Sequence, residues 1–256
     1  MSGKTFRQWI DELKTKNLVN LRFQQVVIDP EFTEDVLTEL LEAGLDGNYV
    51  YDEYTKICGG YGVHDDDNWG WNNCGPELSN FHRVVKYCSI NAMKLFLESN
   101  QKIIVNRSNS LGDSILCSAM WRDDAYERAE ILIKYGADVN YRGKIRATMS
   151  HGFGHPCDPV DGPNALLYAK DAKIAQLLLD HGILMDVESP DKWSKRMKTP
   201  AINAIELGRF DVLQLLVEKG CKKINSQGYK LKDIATANWP DQQRIYEFVD
   251  GLNYSL

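Results

Sequence analysis

Six cysteine and histidine residues occupy two long stretches of the chain that lack regular apolar spacing, and such side chains are the usual ligands of zinc. They form two groups of three, Cys58, His64 and Cys74 in the first stretch and His151, His155 and Cys157 in the second. A joint site would hold the two stretches together. Neither group has the spacing of a compact zinc signature, and the chain has no Cys-x2-Cys pair. We therefore predict no metal and no cofactor, and keep these six residues as the alternative.

The second stretch also allows a thiol reaction to be drawn. Cys157 would be the nucleophile, and His151 or His155 would be the base that activates it. However, Pro156 and Pro159 flank this cysteine and indicate a rigid turn. The sequence contains no serine-hydrolase, P-loop, dinucleotide-binding or His-Glu-x-x-His motif. The prediction is a protein that is not an enzyme, with a metal-dependent or thiol enzyme as the alternative from another class.

The first stretch is rich in aromatic side chains. Scattered glycine, acidic and aromatic residues are typical of adaptable binding loops. The alternative is that the rings only pack the loop onto its own repeat. The candidate partner-binding residues of this stretch are Tyr51, Tyr54, Tyr61, Trp69 and Trp71.

A recurring phrase shows which elements would carry these stretches. Residues 135–140 read Y-G-A-D-V-N after an apolar run, and near-copies stand at 39–48, 177–186 and 215–221. The apolar run predicts a helix, and the glycine predicts its end, because a left-handed residue there satisfies the last carbonyls without a Cβ clash. The predicted helix ends are Gly44, Gly136, Gly182 and Gly220, with Asn100 in the same role. A phrase repeated at such intervals indicates stacked units.

A second pattern precedes each helix end. It reads G-D-S-I-L-C-S-A at 112–119, G-P-N-A-L-L-Y-A at 162–169 and K-T-P-A-I-N-A at 198–204. This pattern resembles the T-P-L-H-x-A opening of the ankyrin repeat, in which Thr caps the helix and Pro suits its first turn. Thr199-Pro200 is the closest match, 81–84 keeps the second half, and Cys117 stands where the motif has histidine. The unit at 161–187 departs from the family by a short first helix.

The resemblance implies an all-α, ankyrin-like helical-repeat solenoid with short turn or hairpin tips and two long inserted loops. It covers almost the whole chain except the two insertions and implies a single domain over 1–256. Helix pairs near 4–16 and 31–43, and near 230–236 and 240–250, would form the two ends. The expected parts are an N-terminal cap repeat at 1–48, an insertion at 49–75, two repeats at 76–140, an insertion at 141–160, two repeats at 161–224 and a C-terminal cap at 225–256.

The resemblance also implies where a partner would bind, since such stacks meet partners with their turn tips and the exposed end of each first helix. Trp121 lies two residues past Ala119, where its side chain should leave the core. The alternative is that Trp121 packs under a neighbouring insertion. The further candidates are Tyr87, Arg122, Phe153, Trp193, Arg196 and Lys198.

Composition restricts the class of protein. The chain has 256 residues, 43% hydrophobic and 26% charged, with a net charge of −6. The acidic balance argues against nucleic acid, which requires a basic surface. No apolar run reaches the roughly 20 residues of a membrane span, and no leader is evident. The six cysteines are expected to be free, as in a reducing compartment. We expect a cytoplasmic protein, with export by another route left open.

These observations favour a non-enzymatic protein-binding module that engages a protein partner through turn tips, its concave face and aromatic inserted loops. It would act as a monomer or within a heterocomplex, without nucleic acid or membrane. One alternative within the same class is an acidic inhibitor or immunity-type protein that neutralises a basic toxin or nuclease, since opposite charge steers association. Partner identity does not follow from the sequence.

Overall fold

The computed structural model describes most of the chain, which is mainly helical. The described residues are 4–50, 78–99, 101–109, 112–145, 160–190, 196–238 and 243–252. They divide into two compact units, residues 1–104 and residues 105–256, and each unit is described by itself. The expectation of an all-α chain is confirmed at this level. The expectation of one continuous repeat domain stays a prediction.

The first unit contains five described helices. These are α1 (Phe6–Thr15), α2 (Val19–Val26), α3 (Glu34–Glu42), α4 (Asn80–Tyr87) and α5 (Ile90–Glu98). α2 packs on α1 and α4, while α3 and α4 both pack on α5. The predicted helices near 4–16 and 31–43 correspond to α1 and α3, whereas α2, which lies between them in the chain and packs on α4, was not predicted.

Three phenylalanine rings join the helices of the first unit. Phe23 and Phe96 have ring centroids 6.2 Å apart, and Phe81 lies 6.0 Å from Phe96. All three side chains are buried. Rings at these separations and angles stabilise beyond their buried area by about 0.5–1.5 kcal/mol per pair. Because Phe23 belongs to α2 and Phe81 and Phe96 to α4 and α5, this cluster fixes the extra helix against the next helix pair.

The second unit contains seven described α-helices, one 3₁₀ helix and two short hairpin bases. The elements are α6 (Ile115–Ala119), α7 (Ala125–Lys134), β1 (Lys144–Ile145), β2 (Val160–Asp161), the 3₁₀ helix (Ala165–Tyr168), α8 (Ala172–Asp180), β3 (Ser189–Pro190), β4 (Met197–Lys198), α9 (Pro200–Glu206), α10 (Phe210–Glu218), α11 (Leu231–Asn238) and α12 (Gln243–Asp250). The last two agree with the predicted C-terminal pair.

The helices of the second unit lie in two rows. In one row α6 packs on the 3₁₀ helix, which packs on α9, which packs on α11. In the other row α7 packs on α8 and α8 on α10. Each first helix also packs on the helix that follows it in the chain, for example α9 on α10. Helix packing in this unit therefore joins each helix pair to the next pair along the chain, as it does in repeat proteins.

The first helices begin where the sequence pattern predicts. The hydroxyl of Thr199 accepts a hydrogen bond from the Ile202 amide at 3.2 Å, and Pro200 occupies the first turn. Ser79 and Ser114 cap α4 and α6 in the same way. Such caps contribute about 1 kcal/mol each. In the predicted repeat at 161–187, the short first helix that was expected is the single 3₁₀ turn of Ala165–Tyr168.

The predicted helix ends adopt the left-handed backbone that glycine allows. The φ angles are 90° at Gly44, 91° at Gly136, 80° at Gly182 and 86° at Gly220. No atom lies within 4 Å of the position that a Cβ would take at any of these four residues. Backbone conformation, and not space, is therefore the reason for glycine. Asn100, which was assigned the same role, lies outside the described residues.

Replacing Gly136 isolates this conformational effect. We expect Gly136→Ala to destabilise by about 1–2 kcal/mol, because only the left-handed backbone is penalised. Gly136→Asn should cost less, since asparagine tolerates this region. Urea denaturation of the two variants and the parent chain measures the difference. An alanine variant as stable as the parent would contradict the positive φ at this residue.

Asparagine side chains join successive turn phrases through a repeated arrangement, which we call the Asn clamp. Each clamp donates its side-chain N–H to one backbone carbonyl and accepts from the amide two residues further on. Asn106, for example, binds the Gly136 carbonyl at 3.0 Å and the Asp138 amide at 2.8 Å. The clamps are Asn20 on Gly44 and Asp46, Asn48 on Lys102 and Ile104, Asn106 on Gly136 and Asp138, and Asn140 on Gly182 and Leu184. Sequence analysis did not anticipate these clamps.

Both predicted insertions leave from paired backbone. Val50 and Ser79 form an antiparallel bridge in the first unit, so the chain enters and leaves the segment between them at one place. In the second unit β1 pairs antiparallel with β2, with Lys144 opposite Asp161. β3 pairs with β4 in the same manner, and β2 also packs on β3. The segments 51–77, 146–159 and 191–195 that these pairs close lie outside the described residues.

Three cysteines of the described residues are free and buried, as the sequence indicated. They are Cys88, Cys117 and Cys221. Burial raises the pKa of the Cys117 and Cys221 thiols to about 12. Thiols that stay protonated are poor nucleophiles. These cysteines therefore act as small core residues. Among the helices that the structure describes, none is both long and apolar enough to cross a membrane.

Candidate functional site

The indole of Trp121 lies on the surface of the second unit, as its position past Ala119 predicts. Its side chain is 59% exposed. One face contacts the Tyr168 ring, whose centroid is 5.3 Å away at an interplanar angle of 45°. The alternative, that Trp121 packs under an insertion, stays a prediction, because the insertions lie outside the described residues. The indole presents a fixed aromatic surface.

Tyr168 is itself held in place by a hydrogen bond to a buried carboxylate. Its hydroxyl donates to Asp113 Oδ1 at 2.8 Å. Asp113 is buried, and its backbone amide donates to Asn109 Oδ1 at 3.0 Å. Burial and the neighbouring Asp113 carboxylate both raise the pKa of Tyr168, so the phenol stays neutral and keeps its proton as a donor. The ring that supports Trp121 is thus anchored to the buried start of α6.

The backbone at Trp121 is fixed by Lys170, which follows the 3₁₀ helix. Lys170 Nζ donates to the carbonyls of Trp121 and Arg122, at 3.2 Å each. These carbonyls belong to the turn between α6 and α7, where helical partners are missing. Arg122 Nε lies 3.7 Å from Asp124 Oδ1, an ion pair within the same turn. We name the set Trp121, Arg122, Tyr168 and Lys170 the Trp121 surface.

The structure places other exposed apolar side chains at corresponding turns. Tyr87 ends α4 and is 44% exposed, and Leu207 follows α9 and is 53% exposed. In the first unit Ile28, in the turn between α2 and α3, is 65% exposed. Each of these residues lies where a first helix turns into a second helix. Of this group the sequence analysis named Tyr87 and Trp121 and missed Ile28 and Leu207, because isolated apolar residues in a turn carry no periodic signal.

Arg196 and Lys198 form ion pairs with the same carboxylate, that of Glu206. Arg196 Nη1 lies 3.2 Å from Glu206 Oε1, and Lys198 Nζ lies 2.7 Å from Glu206 Oε2. The Arg196 guanidinium also lies 5.2 Å from the centroid of the Tyr229 ring. Glu206 is only 16% exposed at its side chain, so this group is partly buried. Lys198 of β4 and Arg196, which directly precedes β4, are therefore both joined to α9 within the second unit.

Several other predicted residues fall outside the described parts of the chain. These are the aromatic candidates Tyr51, Tyr54, Tyr61, Trp69, Trp71, Phe153 and Trp193, and the metal candidates Cys58, His64, Cys74, His151, His155 and Cys157. Within the described ranges no three histidine, cysteine or acidic side chains group as metal ligands would. The assignments for both insertions stay predictions.

Supporting residues of the Trp121 surface were harder to find than the tryptophan itself. Tyr168 ends the 3₁₀ helix and Lys170 follows it. Both contact Trp121, although they lie 47 and 49 residues after it in the sequence. The only sequence signal is that Tyr168 precedes the Ala169 anchor, as Ser118 precedes Ala119. Spatial neighbours of this kind follow only once the units are stacked.

No family model and no curated protein sequence matches this chain.

Proposed function

We infer that the chain is an ankyrin-like repeat solenoid that binds a protein partner and catalyses no reaction. The two rows of helices, the left-handed glycine ends and the Asn clamps support the repeat architecture. Rigid repeat stacks bind well because the interface is ordered before the partner arrives. The same architecture is proposed for both units, and the sequence-predicted insertions are proposed as additional contact surfaces.

The observation that carries the binding function is the Trp121 surface. Tryptophan and arginine are the commonest anchors of protein interfaces, and both stand here in one turn. Here Tyr168 orients the ring and Lys170 fixes its backbone, so little side-chain freedom is lost on binding. Arg122 beside the ring adds a charged group at the rim.

The test measures partner binding and stability in the same variant. Proteins captured on the immobilised parent chain would be identified, and their affinity for Trp121→Ala compared with that for the parent. We expect at least a ~30-fold loss, the effect of removing a central anchor. Unfolding free energy should fall by only about 0.5–1.5 kcal/mol, from the lost contact with Tyr168.

Glu130→Ala is the matched control, because Glu130 is exposed in the second unit but lies in the middle of α7 and not in a turn. It should retain partner binding. A Trp121→Ala chain that still binds its partner and unfolds much more readily would overturn the proposal and make Trp121 a structural residue.

The inhibitor version of this function rests on the net charge of −6. It predicts an affinity that falls steeply with salt, and a flat salt response would contradict it. The metal-dependent or thiol enzyme remains a prediction about the insertions. Zinc content near zero in the purified chain, unchanged by Cys157→Ser, would count against that enzyme.

A further inference from the structure

The first unit has a groove that the Trp121 surface does not involve. It lies where α2 turns into α3 and where α4 turns into α5, and encloses about 770 Å³. Exposed Ile28 and Tyr87 give it two apolar walls, and Cys88 and Ala92 are buried beside them. Ser79, which adjoins the segment 51–77, caps the opposite end of α4, about 12 Å away along an eight-residue helix.

The polar groups of this groove are acidic. Its lining includes Asp29, Glu34 and Asp35. Glu34 accepts a hydrogen bond from the Ser89 hydroxyl at 2.6 Å, and Asp29 accepts from the Glu31 amide at 2.9 Å. Neither these two carboxylates nor Asp35 has an ion-pair partner among the residues that the structure describes. A negative charge therefore borders the apolar surface.

Other carboxylates of the same unit are neutralised by the chain itself. Arg7 and Lys14 both bind Glu39, and hydrogen bonds from these two cations lower the pKa of Glu39 to about 2. Lys4 and Lys16 likewise hold Glu12. These cations neutralise acids on α1 and α3 rather than those at the groove. Lys86 at the end of α4 has its Nζ 5.3 Å from the Tyr87 ring centroid, and no lysine or arginine lines the groove among the described residues.

Charge along the sequence is also uneven. Residues 23–55 carry nine acidic residues and no lysine or arginine. The first unit has 16 acidic and 10 basic residues, a net charge of −6, whereas the second has 20 of each. The segment 51–77 contributes −5 of the first unit's charge. A basic ligand would therefore be steered toward the first unit.

We propose that this groove binds a basic amphipathic segment of a protein partner, with its aliphatic side chains between Ile28 and Tyr87 and its lysines or arginines near Asp29 and Asp35. This inference rests on the proposed protein-binding function but uses a different surface. Anionic lipid would be repelled by the acidic border. A second copy of the chain would bring the same carboxylates against each other in a two-fold contact.

The experiment uses a synthetic peptide as probe. A fluorescent 16-residue peptide of leucine and lysine, with leucines on one helical face, is titrated with the full chain, and its anisotropy is recorded. We expect a Kd of about 1–100 µM, which is the range of a weak peptide complex. The same peptide with every lysine replaced by glutamate should not bind. Equal binding of the two peptides would overturn the proposal.

Two charge variants of α3 provide a matched comparison. Asp35→Asn and Glu42→Gln each remove one exposed negative charge from the same helix, at positions about 10 Å apart. Asp35→Asn should weaken peptide binding about three- to fivefold at low salt, the size of one favourable exposed ion pair. Glu42→Gln should change it less than about twofold. Identical effects would show that only net charge matters and would contradict a site at the groove.

Apolar variants complete the test. Tyr87→Ala and Ile28→Ser should each weaken binding about tenfold, and two variants guard against misfolding of either one. Trp121→Ala should leave peptide binding unchanged. If Tyr87→Ala and Ile28→Ser bind the peptide normally while Trp121→Ala loses its captured partner, the groove proposal fails and the proposed function stands. Self-association of the parent chain that Tyr87→Ala abolishes, or its binding to phosphatidylserine vesicles, would assign the groove to another occupant and overturn the proposal.

Discussion

Asp124→Asn should be among the most destabilising single substitutions in the second unit, at about 3 kcal/mol. Arg128 has no exposed side-chain surface, and Asp124 binds it twice, Oδ1 to Nε at 2.6 Å and Oδ2 to Nη2 at 2.8 Å. Removing the carboxylate takes a charged, doubly hydrogen-bonded partner from a buried guanidinium, and breaking such pairs costs about 3–5 kcal/mol. We take the lower end because the Asp124 side chain is 34% exposed.

Replacing the other partner of this pair should cost less stability. In Arg128→Met the aliphatic side chain fills much of the volume, and the partly exposed Asp124 carboxylate regains water. Asp123→Asn is the matched control, since Asp123 is fully exposed and its substitution should be nearly neutral. Urea denaturation orders the three variants. An Asp124→Asn chain as stable as Asp123→Asn would show that the pair does not stabilise the fold.

The pH dependence of stability is an independent test of the Asp124–Arg128 pair. The hydrogen bond from Arg128 holds the pKa of Asp124 below its ordinary value of 3.8. A group whose folded pKa is lowered stabilises fully above its unfolded pKa, and this contribution is lost as pH falls through the folded pKa. The parent chain should therefore lose part of its stability below about pH 3.8, and Asp124→Asn should lack that part.

Gly162→Ala should destabilise the second unit by about 3 kcal/mol and open the base of the β1–β2 pair. A Cβ at this residue would lie 2.5 Å from the Gly112 carbonyl oxygen and 2.9 Å from its carbon. Since the obstacle is backbone, a side chain cannot rotate away. Overpacking costs about 1–3 kcal/mol, and the bond from the Gly162 amide to the Gly143 carbonyl, at 2.7 Å, would be strained as well.

Gly251→Ala is the control for this substitution, because its Cβ would meet its nearest neighbour at an ordinary 3.6 Å. Urea denaturation gives the stability difference. Hydrogen exchange at the Gly143 and Gly162 amides shows whether the hairpin base has opened. Slow exchange at both amides together with parent-like stability would mean that the backbones do not approach this closely.

The two glycine predictions show what sequence can and cannot supply. The left-handed glycines at helix ends were found from sequence because each stands in a local phrase that ends an apolar run. Gly162 was noticed only as the start of a pattern. Its need for glycine comes from Gly112, 50 residues earlier, and no local pattern encodes that approach.

The same division applies to the candidate site. The exposure of Trp121 followed from its offset to Ala119, a distance within one helix. Its support by Tyr168 and Lys170 depended on which helix stacks beside α6. Arg196 and Lys198 had the right chemistry and position, but their common partner Glu206 could be recognised only when β4 and α9 were seen together. Local geometry was thus predictable, and contacts between helices far apart in the sequence were not.

The Asn clamp bears on how such a chain can change during evolution. It recognises only a carbonyl and an amide two residues apart, so the side chains in between are irrelevant to it. It also ignores the length of chain that separates the two turns: Asn48 reaches across 54 residues to Lys102, whereas Asn106 reaches across 30 to Gly136. Long segments can therefore be gained, lost or exchanged between clamped turns while the spacing of the turns is preserved. New loops can arise in this way without redesign of the helices that carry them.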